Sequence, residues 1–133
     1  MSLLNRFLKT ISSIHPSGLS ESQRRLLAQL DTRKIYVENV RSLLDVSHAE
    51  ALRILETAVR QGVFVKWVEV MCPDGSVAAA APREDKLPVT VHCWVEGEEG
   101  HLEETDFPTA RLRKTTFYKL NEQPDTIPHS RTA

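Results

Sequence analysis

Two cysteines each open a four-residue stretch of the kind that grips metal: Cys72-Pro73-Asp74-Gly75 and Cys93-Trp94-Val95-Glu96. Structural zinc prefers thiolate sulfur and imidazole nitrogen, and a closed site takes four such donors in a tetrahedron. Gly75 and Glu96 hold the fourth positions, where second thiolates would complete the pairs. His92 and His101 are the nearby imidazoles. Successive side chains of a strand point to opposite faces, so His92 and Cys93 are not expected to share one ion. The best set is Cys72, Cys93, Glu96 and His101, an unusual donor mix for a closed site. No cofactor is therefore expected, with zinc in that set as the lesser alternative. In a chain without an export signal the two cysteines are expected as free thiols rather than as a disulfide.

A cysteine beside a histidine could also serve as nucleophile and base. Two cysteines and five histidines make such pairs easy to find by chance. The sequence has no Gly-x-Ser-x-Gly, no P-loop, no His-Glu-x-x-His and no dinucleotide fingerprint. The expectation is a protein that is not an enzyme.

The elements that would position these residues follow from the hydrophobic pattern. Leu4, Phe7, Leu8, Ile11 and Ile14 recur at helical spacing, predicting a helix over 3–14 that His15-Pro16-Ser17-Gly18 stops. Ser20 and Gln23 fit a capping box opening a second helix to about Leu30, with Leu26, Leu27 and Leu30 inward. A third helix is predicted from Val37 to Leu44, and a fourth from His48 to Gln61 behind the N-cap Ser47. The fourth would bury Leu52, Leu55 and Ala58 or Val59, with Gly62 as its stop. Strands are predicted over 63–71, 89–95 and 115–120, with a short one at 101–103 after the acidic tip 96–100. The tail from Asn121 has no apolar period and is expected to be loose.

At 133 residues, 26% charged and 41% apolar, the chain has the composition of one globular domain, or one domain with a small satellite. No apolar run approaches the ~20 residues of a membrane span. Asn5, Arg6, Lys9 and Thr10 interrupt the apolar start of the chain, so it does not read as a signal peptide and a cytoplasmic protein is expected. A net charge of -1 offers no general attraction to phosphates.

The stretch YVENVRSLLDVSHAEALRILETAVRQGVFVKW resembles the winged helix-turn-helix superfamily: an apolar helix, a short turn, a helix ending in Gly, and a strand. The stretches CPDGS and HCWVE resemble a zinc ribbon that has lost its metal. Together these resemblances imply an α+β fold: N-terminal helices and a winged helix-turn-helix over 1–71, a small antiparallel ribbon-like segment over 72–120, and a flexible tail over 121–133. Trp67, Trp94, Phe107, Phe117 and Tyr118 would supply an aromatic core in place of zinc.

Winged helices commonly lay their second helix in the DNA major groove. That implies Arg41, His48, Arg53, Thr57 and Arg60 as DNA contacts. The helix 48–61 is near neutral, however, and Glu56 would face the phosphates; an ordinary Glu56–Arg60 pair is also expected there. Arg111, Arg113 and Lys114, the densest basic stretch, are expected to guard an edge strand against aggregation. The favoured expectation is a non-catalytic adaptor or accessory subunit with a protein partner. Glu56, Glu96, Glu98 and Glu99 would contact that partner, and the helix 3–14 could form a homodimer. Small proteins of similar architecture occur in bacterial multi-gene systems, including defence systems. A DNA-binding regulator is the alternative.

Overall fold

The structure, a computed structural model, describes residues 3–14 and 19–121. The expected helix stop at His15–Gly18 and the expected loose tail from 122 on lie outside these residues. The chain is α+β: among the described residues there are four helices, then two small antiparallel sheets. The helices are α1 (Leu3–Ile14), α2 (Glu21–Ala28), α3 (Val37–Leu44) and α4 (His48–Arg60). The strands are β1 (Phe64–Met71), β2 (Val77–Ala81), β3 (Thr90–Glu96), β4 (Leu102–Pro108) and β5 (Lys114–Leu120). One sheet has the order β2-β1-β5, and β3 and β4 form the other. The described residues form two compact units, one of 3–14, 19–65 and 118–121, the other Lys66–Phe117.

The helical unit starts from well-made helix ends. Ser20 accepts from the Gln23 amide at 3.1 Å and the Gln23 side chain accepts from the Ser20 amide at 3.0 Å, the reciprocal capping box expected. Ser47 caps α4 by accepting from the Glu50 amide at 3.1 Å. At the other end Gly62, with φ +76°, donates to the Val59 carbonyl, and Val63 donates to that of Ala58. This pair of bonds is a Schellman motif, and it needs a residue at ease in the left-handed region.

The helices close on Phe7, Ile11, Leu27, Ile35, Val40, Leu44, Ala51, Ile54, Leu55, Ala58, Val63, Phe64 and Tyr118, all buried. Phe7 and Phe64 meet with ring centroids 4.5 Å apart. Each large aliphatic or aromatic side chain so buried contributes about 1.5–3 kcal/mol. Two sequence expectations fail here. Leu26 and Leu52 are exposed, and Ala51 and Ile54 take the inward positions on α4. Leu55 and Ala58 are buried as expected, so the α4 stripe keeps its centre and extends to Ala51 and Ile54 in place of Leu52.

The β unit is organised by turns. In the β1–β2 turn, Cys72 donates to the Ser76 carbonyl and Gly75 donates back to that of Cys72. Gly75 has φ +91°, a conformation that disfavours a side chain. Glycine here is therefore what the turn requires. β2 itself was not expected, because Val77-Ala78-Ala79-Ala80-Ala81 lacks the β-branched and aromatic residues that signal strands. It forms by pairing with β1 in the register Val68↔Ala81, Glu69↔Ala80 and Val70↔Ala79. A second core gathers Val70, Cys72, Ala81, Leu87, Val91 and Cys93.

Candidate functional site

The two cysteines of the lesser, zinc-binding alternative form a disulfide. Cys72, just after β1, and Cys93, in the middle of β3, are bonded to each other, with Cα atoms 5.7 Å apart. Both are buried in the second core. The expectation of free thiols is thus overturned: compartment arguments weigh against a bridge, but the β1 and β3 backbones bring the two side chains together. A bonded pair of sulfurs offers no thiolate to a metal or a substrate. Among the described residues no cluster of His, Cys, Asp and Glu could hold an ion. Glu96 and His101 sit at the β3–β4 tip, where His101 accepts from the Gly97 amide through its carbonyl.

The expected aromatic core takes another form. Trp67 and Phe117 approach at 6.3 Å between centroids, and Phe107 packs on the second core. Tyr118 is buried in the helical unit. Trp94 is 56% exposed. The two-residue period of β3 explains this: Val91 and Cys93 face inward, which turns Thr90, His92 and Trp94 outward. The bridge supplies the cohesion between β1 and β3 that the aromatics were expected to give.

The expected DNA contacts on α3 and α4 make local polar pairs on their own helices, with Glu38 bridging the two. Arg41 donates to Glu38 at 2.7 Å, and Nδ1 of His48 lies 3.3 Å from the same carboxylate. These partners hold the Glu38 carboxyl below its usual range, Arg41 more strongly than His48. Arg53 forks onto Glu50, with its Nε 3.1 Å from one carboxylate oxygen, and the pairing raises the guanidinium pKa. Thr57 donates to the Arg53 carbonyl at 2.7 Å and accepts from Arg60 at 2.9 Å.

Glu56 does not pair with Arg60 as expected. It accepts a hydrogen bond from the phenol of Tyr118. Burial, and then the hydrogen bond and charge of Glu56, push the phenol pKa up. Glu56 is half-buried.

The β3–β4 hairpin presents a largely exposed face. The register is unbroken from Thr90↔Pro108 through His92↔Asp106 and Trp94↔Glu104 to Glu96↔Leu102. These four pairs share the outward face. Trp94 and Leu102 are diagonal neighbours on it, Leu102 being 67% exposed. His92 is in contact with Asp106 and lies 3.6 Å from Glu104, yet both carboxylates stay more than half exposed. Glu98 and Glu99 form the tip, where Glu99 adopts φ 61°.

Between Lys86 and Arg111 the chain carries six acids and no lysine or arginine. Elsewhere in the β unit, Arg111 and Arg113 border a cleft of about 370 Å³ beside the Cys72–Gly75 turn. Sequence reasoning found the acidic tip and missed Trp94, although the alternation in β3 carried that signal.

No family model, curated protein or solved structure matches this chain. What the fold and site define is a class: an α+β protein with a helical unit and a disulfide-tied β unit that exposes an acidic, tryptophan-bearing hairpin.

Proposed function

We propose that the chain is a non-catalytic adaptor or accessory subunit, a winged-helix protein with a metal-free ribbon that docks a protein partner through the β3–β4 hairpin. The observation that carries this reading is the exposure of Trp94 and Leu102 side by side on one sheet face. Aromatic anchors ringed by polar groups are the residues from which protein interfaces draw most of their energy. A setting among bacterial multi-gene, defence-type systems rests on likeness of architecture. A cytoplasmic location suits the reduced dithiol, and an oxidising one suits the bridged form.

The alternative is a DNA-binding regulator reading through α4. Pairing of Arg53 with Glu50 and of Arg41 with Glu38 argues against it, since phosphate contacts need cations available to neutralise them. The two readings separate in one experiment. Affinity capture of the native partner is compared for the wild type, for Trp94→Ser with Leu102→Ser, and for Arg53→Glu with Arg60→Glu. Docking through the hairpin predicts loss of partner in the first double variant and retention in the second. The reverse outcome, accompanied by salt-dependent DNA binding of the wild type, would favour the regulator.

A further inference from the structure

The ladder between β3 and β4 fixes which backbone groups of β4 are spoken for. In an antiparallel pair, opposed residues alternate between those that exchange both hydrogen bonds and those that exchange none. Gly97 donates to His101 at one end of the ladder, and Thr109 donates to Val89 at the other. Counting inward through the register, the bonded pairs are Val95↔Glu103, Cys93↔Thr105 and Val91↔Phe107. The backbone groups of Leu102, Glu104 and Asp106 therefore point away from β3. Pro108, the next in that series, has no amide to lose.

This sheet ends at β4, and among the described residues no backbone hydrogen bond reaches those outward groups. The other side of β3 differs, since Sγ of Cys72 lies 3.9 Å from the His92 carbonyl oxygen. β4 is the open edge. The same three residues turn their side chains to the exposed face, so edge and face present one continuous surface of amides, two carboxylates and Leu102, with Trp94 one row behind.

We infer that β4 is a strand-accepting edge whose occupant is an extended, basic segment of the protein partner, added as a third strand. The inference rests on the docking reading above and specifies its mode and chemistry. Main-chain bonds to Leu102, Glu104 and Asp106 supply affinity, and side chains at alternate positions supply selectivity. Cross-strand neighbours of opposite charge stabilise a sheet and like charges oppose it. Lysine or arginine at every second position meets Glu104 and Asp106. A second copy of β4 would set acid against acid, so the edge repels self-pairing while it accepts a basic strand.

The test uses the full chain labelled with nitrogen-15. Two seven-residue peptides are titrated to about 1 mM, the range of a weak strand contact: Lys-Thr-Arg-Val-Lys-Thr-Arg, and the same peptide with glutamate at each basic position. The basic peptide should slow amide exchange at Leu102, Glu104 and Asp106 by about tenfold while Glu103, Thr105 and Phe107 keep their rates. The acidic peptide should do nothing. Glu104→Lys with Asp106→Lys should exchange the two preferences, and unchanged protection at Glu103 and Thr105 reports that this variant is folded. No binding of the basic peptide, equal binding of both, or binding without the every-other-residue pattern overturns the inference. If the Trp94 and Leu102 variant loses its partner while that pattern is absent, docking stands and strand addition falls. If that variant keeps its partner, the docking reading itself falls.

Discussion

Tyr118 and Cys93 show how single residues set the terms for this chain. The Tyr118 phenol donates to Glu56 and is buried, which raises its pKa above the usual value of about 10. For an acid raised in the folded state the sign is fixed. Below the ordinary value both folded and unfolded phenols are protonated and the contribution is intact. Above it only the unfolded phenol ionises, so stability falls as pH rises beyond about 10. Tyr118→Phe should remove that alkaline dependence and cost about 1–3 kcal/mol at neutral pH, because a hydrogen bond from a buried phenol to a carboxylate is lost. Urea melts at neutral and alkaline pH measure both effects. For the disulfide, the 21-residue separation between Cys72 and Cys93 makes it a substantial constraint on the unfolded chain. Replacing both cysteines by alanine should cost about 2–4 kcal/mol. Rapid alkylation in intact cells, followed by mass measurement, tells whether the bridge is present where the protein works.

Among the elements, the helices were the most legible in the sequence, for a local reason. Capping boxes, a C-terminal glycine and period-3.6 apolar spacing act within a few residues, and α1, α3 and α4 begin where such signals place them. Ser47→Ala should cost about 1 kcal/mol of stability, read from the urea midpoint, as loss of the α4 cap. What sequence reasoning missed depends on partners distant along the chain. β2 is a run of alanines that becomes a strand only because β1 offers it an edge. Tyr118 seemed a ribbon aromatic, but its exchange of hydrogen bonds with Ile35 ties it to the helical unit. Gly75 seemed a lost metal ligand until the turn gave it a positive φ. The hairpin site was half legible. Its acids are contiguous in sequence, whereas its open edge is a property of the ladder.

For the molecule as a whole, a net charge of -1 conceals an uneven distribution, with six acids and no lysine or arginine between Lys86 and Arg111. An interface built on that hairpin should weaken as salt rises, with a larger effect on association rate than on dissociation rate. Removal of Trp94 should act mostly on dissociation. Stopped-flow and surface-binding kinetics on the captured partner distinguish these effects. The most direct test of docking through the hairpin is site-specific photocrosslinking in the native host. A photoreactive amino acid is placed at Trp94 in one version of the chain and at Arg53 in another. The account predicts crosslinks from the Trp94 position to a lysine- and arginine-rich segment of one partner protein, and none from the Arg53 position. Crosslinks from the Arg53 position to DNA, with none from Trp94, would contradict it.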